Sequence, residues 1–320
     1  MNPQRRLSAF RMAVRTAVRR LASDNIMPAG LSPLERISTK VGRPASDLRT
    51  ERVVDWLATK ELRKPDDIAT CAGELTQNPQ LEVLDMSGNQ FGKEAAGSCA
   101  DILNGCPSLR GLRLDVNNLR DGIAPIAEAV AAHKGLEWLS IRANAIKGAT
   151  CESIADAIAH SVSLKWLDIS SNAFGPVGGA AIADGLARAG TSSKLEYLNF
   201  GAASIRPSGA QKFAEALADD GVPLKSLILR ENFVGTEGAL HFASMLKCNT
   251  ALRELTLCDN NIDKEGAAAI AEAMEANSTL QYLNIRLNDF NVQKPILGML
   301  REAKERSDAN RASPLELKLL

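Results

Sequence analysis

The sequence predicts an α/β solenoid with a parallel β-sheet on its concave face and α-helices on its convex face. Three observations carry that expectation. An apolar pattern returns eight times along the chain, its spacing is nearly constant, and within each unit the apolar period changes from two to that of a helix.

The eight segments are LEVLDMSGNQF from Leu81, LRGLRLDVNNL from Leu109, LEWLSIRANAI from Leu136 and LKWLDISSNAF from Leu164. LEYLNFGAASI from Leu195, LKSLILRENFV from Leu224, LRELTLCDNNI from Leu252 and LQYLNIRLNDF from Leu280 complete the set. Successive starts are 28, 27, 28, 31, 29, 28 and 28 residues apart. In each segment positions 1, 4 and 6 are apolar, which makes a short strand with one buried face. Position 9 is asparagine in seven units: Asn89, Asn117, Asn144, Asn172, Asn232, Asn260 and Asn288. A short amide can satisfy backbone groups where the chain leaves the sheet. The rest of each unit reads as a helix, for example Ile270, Ala271 and Met274 after Gly266. Its alanines let it sit close to the strands.

On these residues the chain resembles the leucine-rich-repeat family, over roughly residues 66–300, and most closely its ribonuclease-inhibitor-like class. The resemblance implies a horseshoe and a role in protein binding. Residues 1–50 read as a basic N-terminal helix and linker, 51–80 as an N-terminal capping region with a partial repeat, 81–300 as the repeats and 301–320 as a C-terminal cap or tail. Two departures stand out. The fifth unit has Ala203 in place of asparagine and follows the insertion RAGTSSK, so the asparagine row should be interrupted there. The 27-residue step should make the helix register slip between Gly122 and Ile126.

Composition excludes several functions. With 38 basic and 38 acidic residues, no net field demands nucleic acid or a membrane as partner. No run approaches the roughly 20 apolar residues of a membrane span. The charge is nevertheless uneven: residues 1–60 carry twelve Lys and Arg against five acids, so the remainder has seven acids in excess. The first twenty residues hold six arginines and no acid. Phe10, Val14, Val18 and Leu21 follow helical spacing there. A membrane-surface or transit helix, a secretion signal and a plain capping helix all fit this head.

No enzyme is legible and no cofactor is expected. Six cysteines are too few for a disulfide scaffold. Cys71 and Cys99 fall on helix core positions, Cys106, Cys151 and Cys248 near helix ends, and Cys258 on the concave side as the best-exposed thiol. His133, His160 and His241 are too far apart along a solenoid to share a metal.

The candidate binding face follows from side-chain alternation. If positions 1, 4 and 6 point inward, positions 3, 5 and 7 line the concave surface. Position 3 then presents Trp138, Trp166, Tyr197 and Tyr282, the first three on consecutive strands. Arg142, Asp168, Asn199, Arg230 and Arg286 lie beside them at positions 5 and 7. Trp, Tyr and Arg together are the residues that dominate protein interfaces. Stacked aromatics that merely cover the sheet are the alternative. The expected partner is a protein or peptide. Interspersed acids such as Asp85, Asp115 and Asp168 disfavour nucleic acid. The cytoplasm is the expected compartment. The family resemblance adds two further possibilities, a bacterial effector secreted into a host cell and a GTPase-activating regulator on the same scaffold.

Overall fold

The computed structural model describes residues 49–58, 62–218, 221–291, 293–309 and 311–319. The basic head read from the sequence lies outside them, apart from its last two residues. Among these described residues ten three-residue strands form a single parallel sheet in strict chain order. They are β1 (Val53–Asp55), β2 (Val83–Asp85), β3 (Gly111–Arg113), β4 (Trp138–Ser140), β5 (Trp166–Asp168), β6 (Tyr197–Asn199), β7 (Ser226–Ile228), β8 (Glu254–Thr256), β9 (Tyr282–Asn284) and β10 (Glu316–Lys318). Between them run α1 (Pro65–Leu75), α2 (Ala96–Gly105), α3 (Ala124–Ala132), α4 (Cys151–His160), α5 (Gly175–Ala189), α6 (Arg206–Ala216), α7 (Gly235–Cys248), α8 (Lys264–Ala276) and α9 (Lys294–Asp308). Strand then helix, repeated without a crossover, is the leucine-rich-repeat solenoid anticipated from the spacing.

Every strand pairs with its sequence neighbours in one register, so equivalent positions form continuous rows. Leu84, Leu112, Leu139, Leu167, Leu198, Leu227, Leu255 and Leu283 make one such row, and all are buried. The helices approach closely because small residues face the neighbouring turn. At Gly185 an added Cβ would lie 2.6 Å from the carbonyl oxygen of Ala155 on the preceding helix. Any larger residue would force α4 and α5 apart.

The asparagine row is a hydrogen-bonded ladder. Each Oδ1 accepts the backbone N–H of the corresponding residue one unit earlier, as from Asn89 to Asn117, Asn117 to Asn144 and Asn144 to Asn172, each at 2.9 Å. Each Nδ2 donates to carbonyls of its own and the preceding unit, for Asn144 those of Ile141 and Leu114. The ladder stops at Asn172 and resumes where Ala203 N–H donates to Asn232, as the missing asparagine requires. Under the gap sits an aromatic cluster: Phe174 stacks on Phe200 at 4.9 Å, and Phe200 meets Phe213 at 5.5 Å. The 27-residue unit enters α3 through a 3-10 turn at Arg120–Ile123, as the units on either side enter α2 and α4 through Lys93–Ala95 and Gly148–Thr150.

Both ends carry more structure than a cap needs. Val53–Asp55 pairs with β2, and Trp56 is 2% exposed with its carbonyl accepting from Asn89. Together with α1 this makes a strand-and-helix unit where the sequence suggested half of one. At the other end Glu316–Lys318 adds β10 beside β9. Asn291 closes the ladder there, accepting from Asn288 N–H and donating to the Leu319 carbonyl.

A second row lies where each helix returns to the sheet. Asn249 and Asn277 accept the N–H of Leu252 and Leu280 at 2.8 Å, and Ser161 accepts that of Leu164 at 3.2 Å. In the third unit His133 takes this part. Its Nδ1 accepts from Gly135 and Leu136, and its Nε2 lies 3.2 Å from the Cys106 carbonyl. The histidine is therefore a structural cap. Its signal in the sequence was its place three residues before the first leucine of the unit.

Candidate functional site

Parallel in-register pairing places the position 3 residues side by side: Gly111, Trp138, Trp166, Tyr197, Ser226. Trp138 and Trp166 meet edge to face with centroids 6.3 Å apart, and Trp166 stacks on Tyr197 at 5.0 Å with planes 8° apart. All three are partly exposed. The indole of Trp138 lies across Gly111, where an added Cβ would stand 2.1 Å from the ring. Ser226, also small, follows Tyr197 on the next strand. The aromatic run is thus bounded by two small residues. The indole nitrogen of Trp166 is buried without a hydrogen-bond partner among the described residues.

The polar residues around it divide into two kinds. Asp168 and Asn199 are committed to the local backbone. Asp168 Oδ1 accepts from the Ser170 N–H at 3.0 Å and its Oδ2 from Asn199 Nδ2 at 2.9 Å, while Asn199 Oδ1 accepts from the Gly201 N–H at 3.1 Å. Asp85 makes the same turn with Ser87. An acid or amide at position 5 therefore ends its strand with a local side-chain turn. The arginines differ. Arg142, Arg230 and Arg286 are exposed. Arg230 pairs with the adjacent Glu231 at 2.8 Å, and Arg286 reaches Asn284 at 3.3 Å. Arg142 has no ion-pair partner among the described residues. Tyr282 stands apart from the aromatic run, between Glu254 and Glu316 on the flanking strands.

Toward β1 the concave face becomes acidic. Arg113 reaches Asp85 at 3.2 Å and Asp115 at 3.6 Å. Asp115 also accepts from the Ser140 hydroxyl and from the Arg142 N–H. Burial, with the Asp168 charge adding to it, still pushes the Asp115 carboxyl above its usual range; Ser140, Arg113 and the Arg142 N–H only oppose this. Asp55 is likewise raised, chiefly by burial and further by Asp85.

The cysteines require one correction. Cys248, on α7, is exposed, whereas Cys258 is only partly so, because neighbouring strands shield its position in the concave sheet. Burial also raises the Cys258 thiol, against the opposing charges of Arg230 and Arg286. Cys99 and Cys151 are pushed up to about 12 and Cys106 to about 11, chiefly by burial, so these thiols stay protonated at neutral pH. Among the described residues no group of three His, Cys, Asp or Glu side chains could hold a metal ion, and no helix is long and apolar enough to cross a membrane.

Comparison with known proteins agrees with this architecture. A model of the Leucine Rich repeat family matches residues 77–98, 160–183, 248–271 and 276–292. No curated protein matches the sequence. The crystal structure of the leucine-rich repeat-containing protein LegL7 from Legionella pneumophila is similar at 17% identity and a TM-score of 0.53, over 90% of this chain and 88% of that one. The Leiomodin-1 Actin-Binding Site 2 shares 16% identity over 57% of this chain and 86% of its own, with a TM-score of 0.36. At 17% identity the likeness to LegL7 concerns the fold alone.

Proposed function

The chain being a leucine-rich-repeat protein, we propose that it is a non-enzymatic interaction module that binds a protein or peptide on its concave face. Trp138, Trp166 and Tyr197 are the apolar anchors of this reading. The single observation that carries it is their partly exposed, in-register run on three adjacent strands. Rings already held against one another lose little conformational freedom when a partner covers them. Arg142 and Arg286, exposed near the run and beyond it, supply charge-assisted contacts to the partner. Arg230 and Tyr282 extend the same face toward β10. Asp168 and Asn199 contribute by fixing the strand ends from which the aromatics project.

The test is cross-linking and capture from a native host lysate with the wild-type chain and a Trp138/Trp166/Tyr197 triple-alanine variant. Circular dichroism and thermal melting establish that both are folded. A protein captured by the wild type and lost by the variant supports the concave site. Equal capture by both removes the aromatic run from the binding surface.

A further inference from the structure

A groove of the chain lies away from the concave face. With a volume of about 590 Å³, it runs along the edge where helices return to the sheet, lined by Glu82, Arg110, Lys134, Glu137, Val162, Lys165 and Lys194 among others. We propose that this groove binds an extended acidic peptide segment, independently of the concave site.

Three observations lead there. First, the repeat is irregular at one end of the groove. The 31-residue step from Leu164 to Leu195 lengthens α5 and adds a 3-10 turn at Gly190–Ser192, and Lys194 follows that turn. Arg188 anchors the end of α5 to Asp184 and Asp156, each at 2.7 Å. These pairs hold the helix end, and Lys194 is the residue of the insertion that lines the groove.

Second, the groove is locally cationic on a body with an excess of acids. Four cations line it against two carboxylates. Glu137 is shared by Arg110 at 2.7 Å and Lys165 at 3.2 Å, and Glu82 pairs with Arg52. Lys134 and Lys194 are exposed and have no ion-pair partner among the described residues. A cation just past the C-terminus of α3 explains Lys134 through the helix dipole. It does not explain Lys194, which lies close to its strand.

Third, the groove has an apolar contact point. Val162 is 62% exposed between the lysines. It offers an apolar contact at an otherwise charged edge.

These features select a peptide over a nucleic acid. Glu82 and Glu137 interrupt the cations and would repel a continuous phosphate backbone. Arg110 and Lys165 occupy equivalent positions two strands apart, roughly 10 Å at the spacing of a sheet. An extended peptide spans about that distance in three residues. Carboxylates three residues apart, with a small apolar residue between them for Val162, fit this spacing.

The probe is a fluorescein-labelled peptide of about twelve residues with glutamate at every third position, a length that spans the groove when extended. Fluorescence anisotropy at low salt compares full-length wild type with K134E/K194E and with the concave triple-alanine variant. Both lysines are exposed and have no ion-pair partner among the described residues, so reversal should leave the melting temperature unchanged. The expected result is saturable binding by wild type, weakened at least about tenfold by K134E/K194E and unaffected by the concave triple. The arginine-rich N-terminus is present in all three chains, so binding that K134E/K194E leaves intact overturns the proposal. Absence of wild-type binding overturns it too. So does a single-stranded oligothymidylate that displaces the peptide at lower concentration than unlabelled peptide does. Loss of binding in the concave triple alone would move the peptide to the concave face.

Discussion

Trp166 lies flat on Tyr197, with centroids 5.0 Å apart, across the joint at which the asparagine ladder fails. Ala203 offers no oxygen to the N–H groups of Asn172 and Phe174, which equivalent residues elsewhere donate to the next asparagine, as Asn144 and Ile146 do to Asn172. Stacking on the concave side and the Phe174–Phe200–Phe213 cluster in the core hold these two units together instead. The aromatic run thus serves the fold as well as the proposed surface.

Restoring the ladder should therefore stabilise the protein. Ala203→Asn would place Oδ1 before the two N–H groups and Nδ2 near the carbonyls of Ile169 and Phe200. We expect a gain of about 1 kcal/mol, read as a higher urea midpoint with an unchanged slope. The reciprocal Asn232→Ala strands the Ala203 and Ile205 N–H groups. It should cost about 3 kcal/mol. A lower midpoint for Ala203→Asn would mean that Phe200 fills the space an asparagine needs.

Gly111→Ala isolates the seat of Trp138. The new methyl would stand 2.1 Å from the indole, so the ring must leave its place over β3. The expected outcome is a red-shifted tryptophan emission with far-ultraviolet dichroism unchanged, because the backbone at this position needs no glycine conformation. If the concave site is as proposed, partner affinity should fall along with Trp138→Ala. Emission identical to wild type would show that the ring is not held by the small residue beneath it.

The cap at His133 predicts a graded series. His133→Ala removes the acceptor for Gly135 and Leu136 and should destabilise by about 2 kcal/mol. His133→Asn should recover a large part of that loss, since Asn249 and Asn277 perform the same task in later units. Equal loss in both variants would mean that ring packing, rather than the accepted hydrogen bonds, matters at this position.

Asp115 carries a pH dependence with a definite sign. Its carboxyl is raised above 3.8 in the folded chain, mainly by burial. Between that value and the folded one the native state holds the proton more firmly than the unfolded chain. Its contribution is therefore fully present at low pH and is lost as pH rises through the folded value. Against Asp115→Asn, the wild type should lose relative stability as pH rises through the range just above the ordinary carboxylate value. A difference that grows in the opposite direction would show that Arg113 and the hydrogen bonds dominate over burial.

What the sequence determined was the arrangement that repeats. Leu84, Leu112 and their equivalents announce the strands because one buried face demands period two, and the spacing of about 28 residues demands that each unit stack on the last. The interruption at Ala203 was readable because a missing amide is a missing acceptor. The position 3 row could be named because alternation along a strand is geometric. The structure decided what depends on contacts between units. Trp138 rests on Gly111, and Asn199 donates to Asp168, because a side chain's neighbours come from the adjacent strand, about 28 residues away. The exposure of Cys248 relative to Cys258 depended on the same cross-strand shielding. The groove beside Lys194 lay furthest from view. An insertion breaks the period by which everything else was read, and only folding shows which space the extra residues enclose.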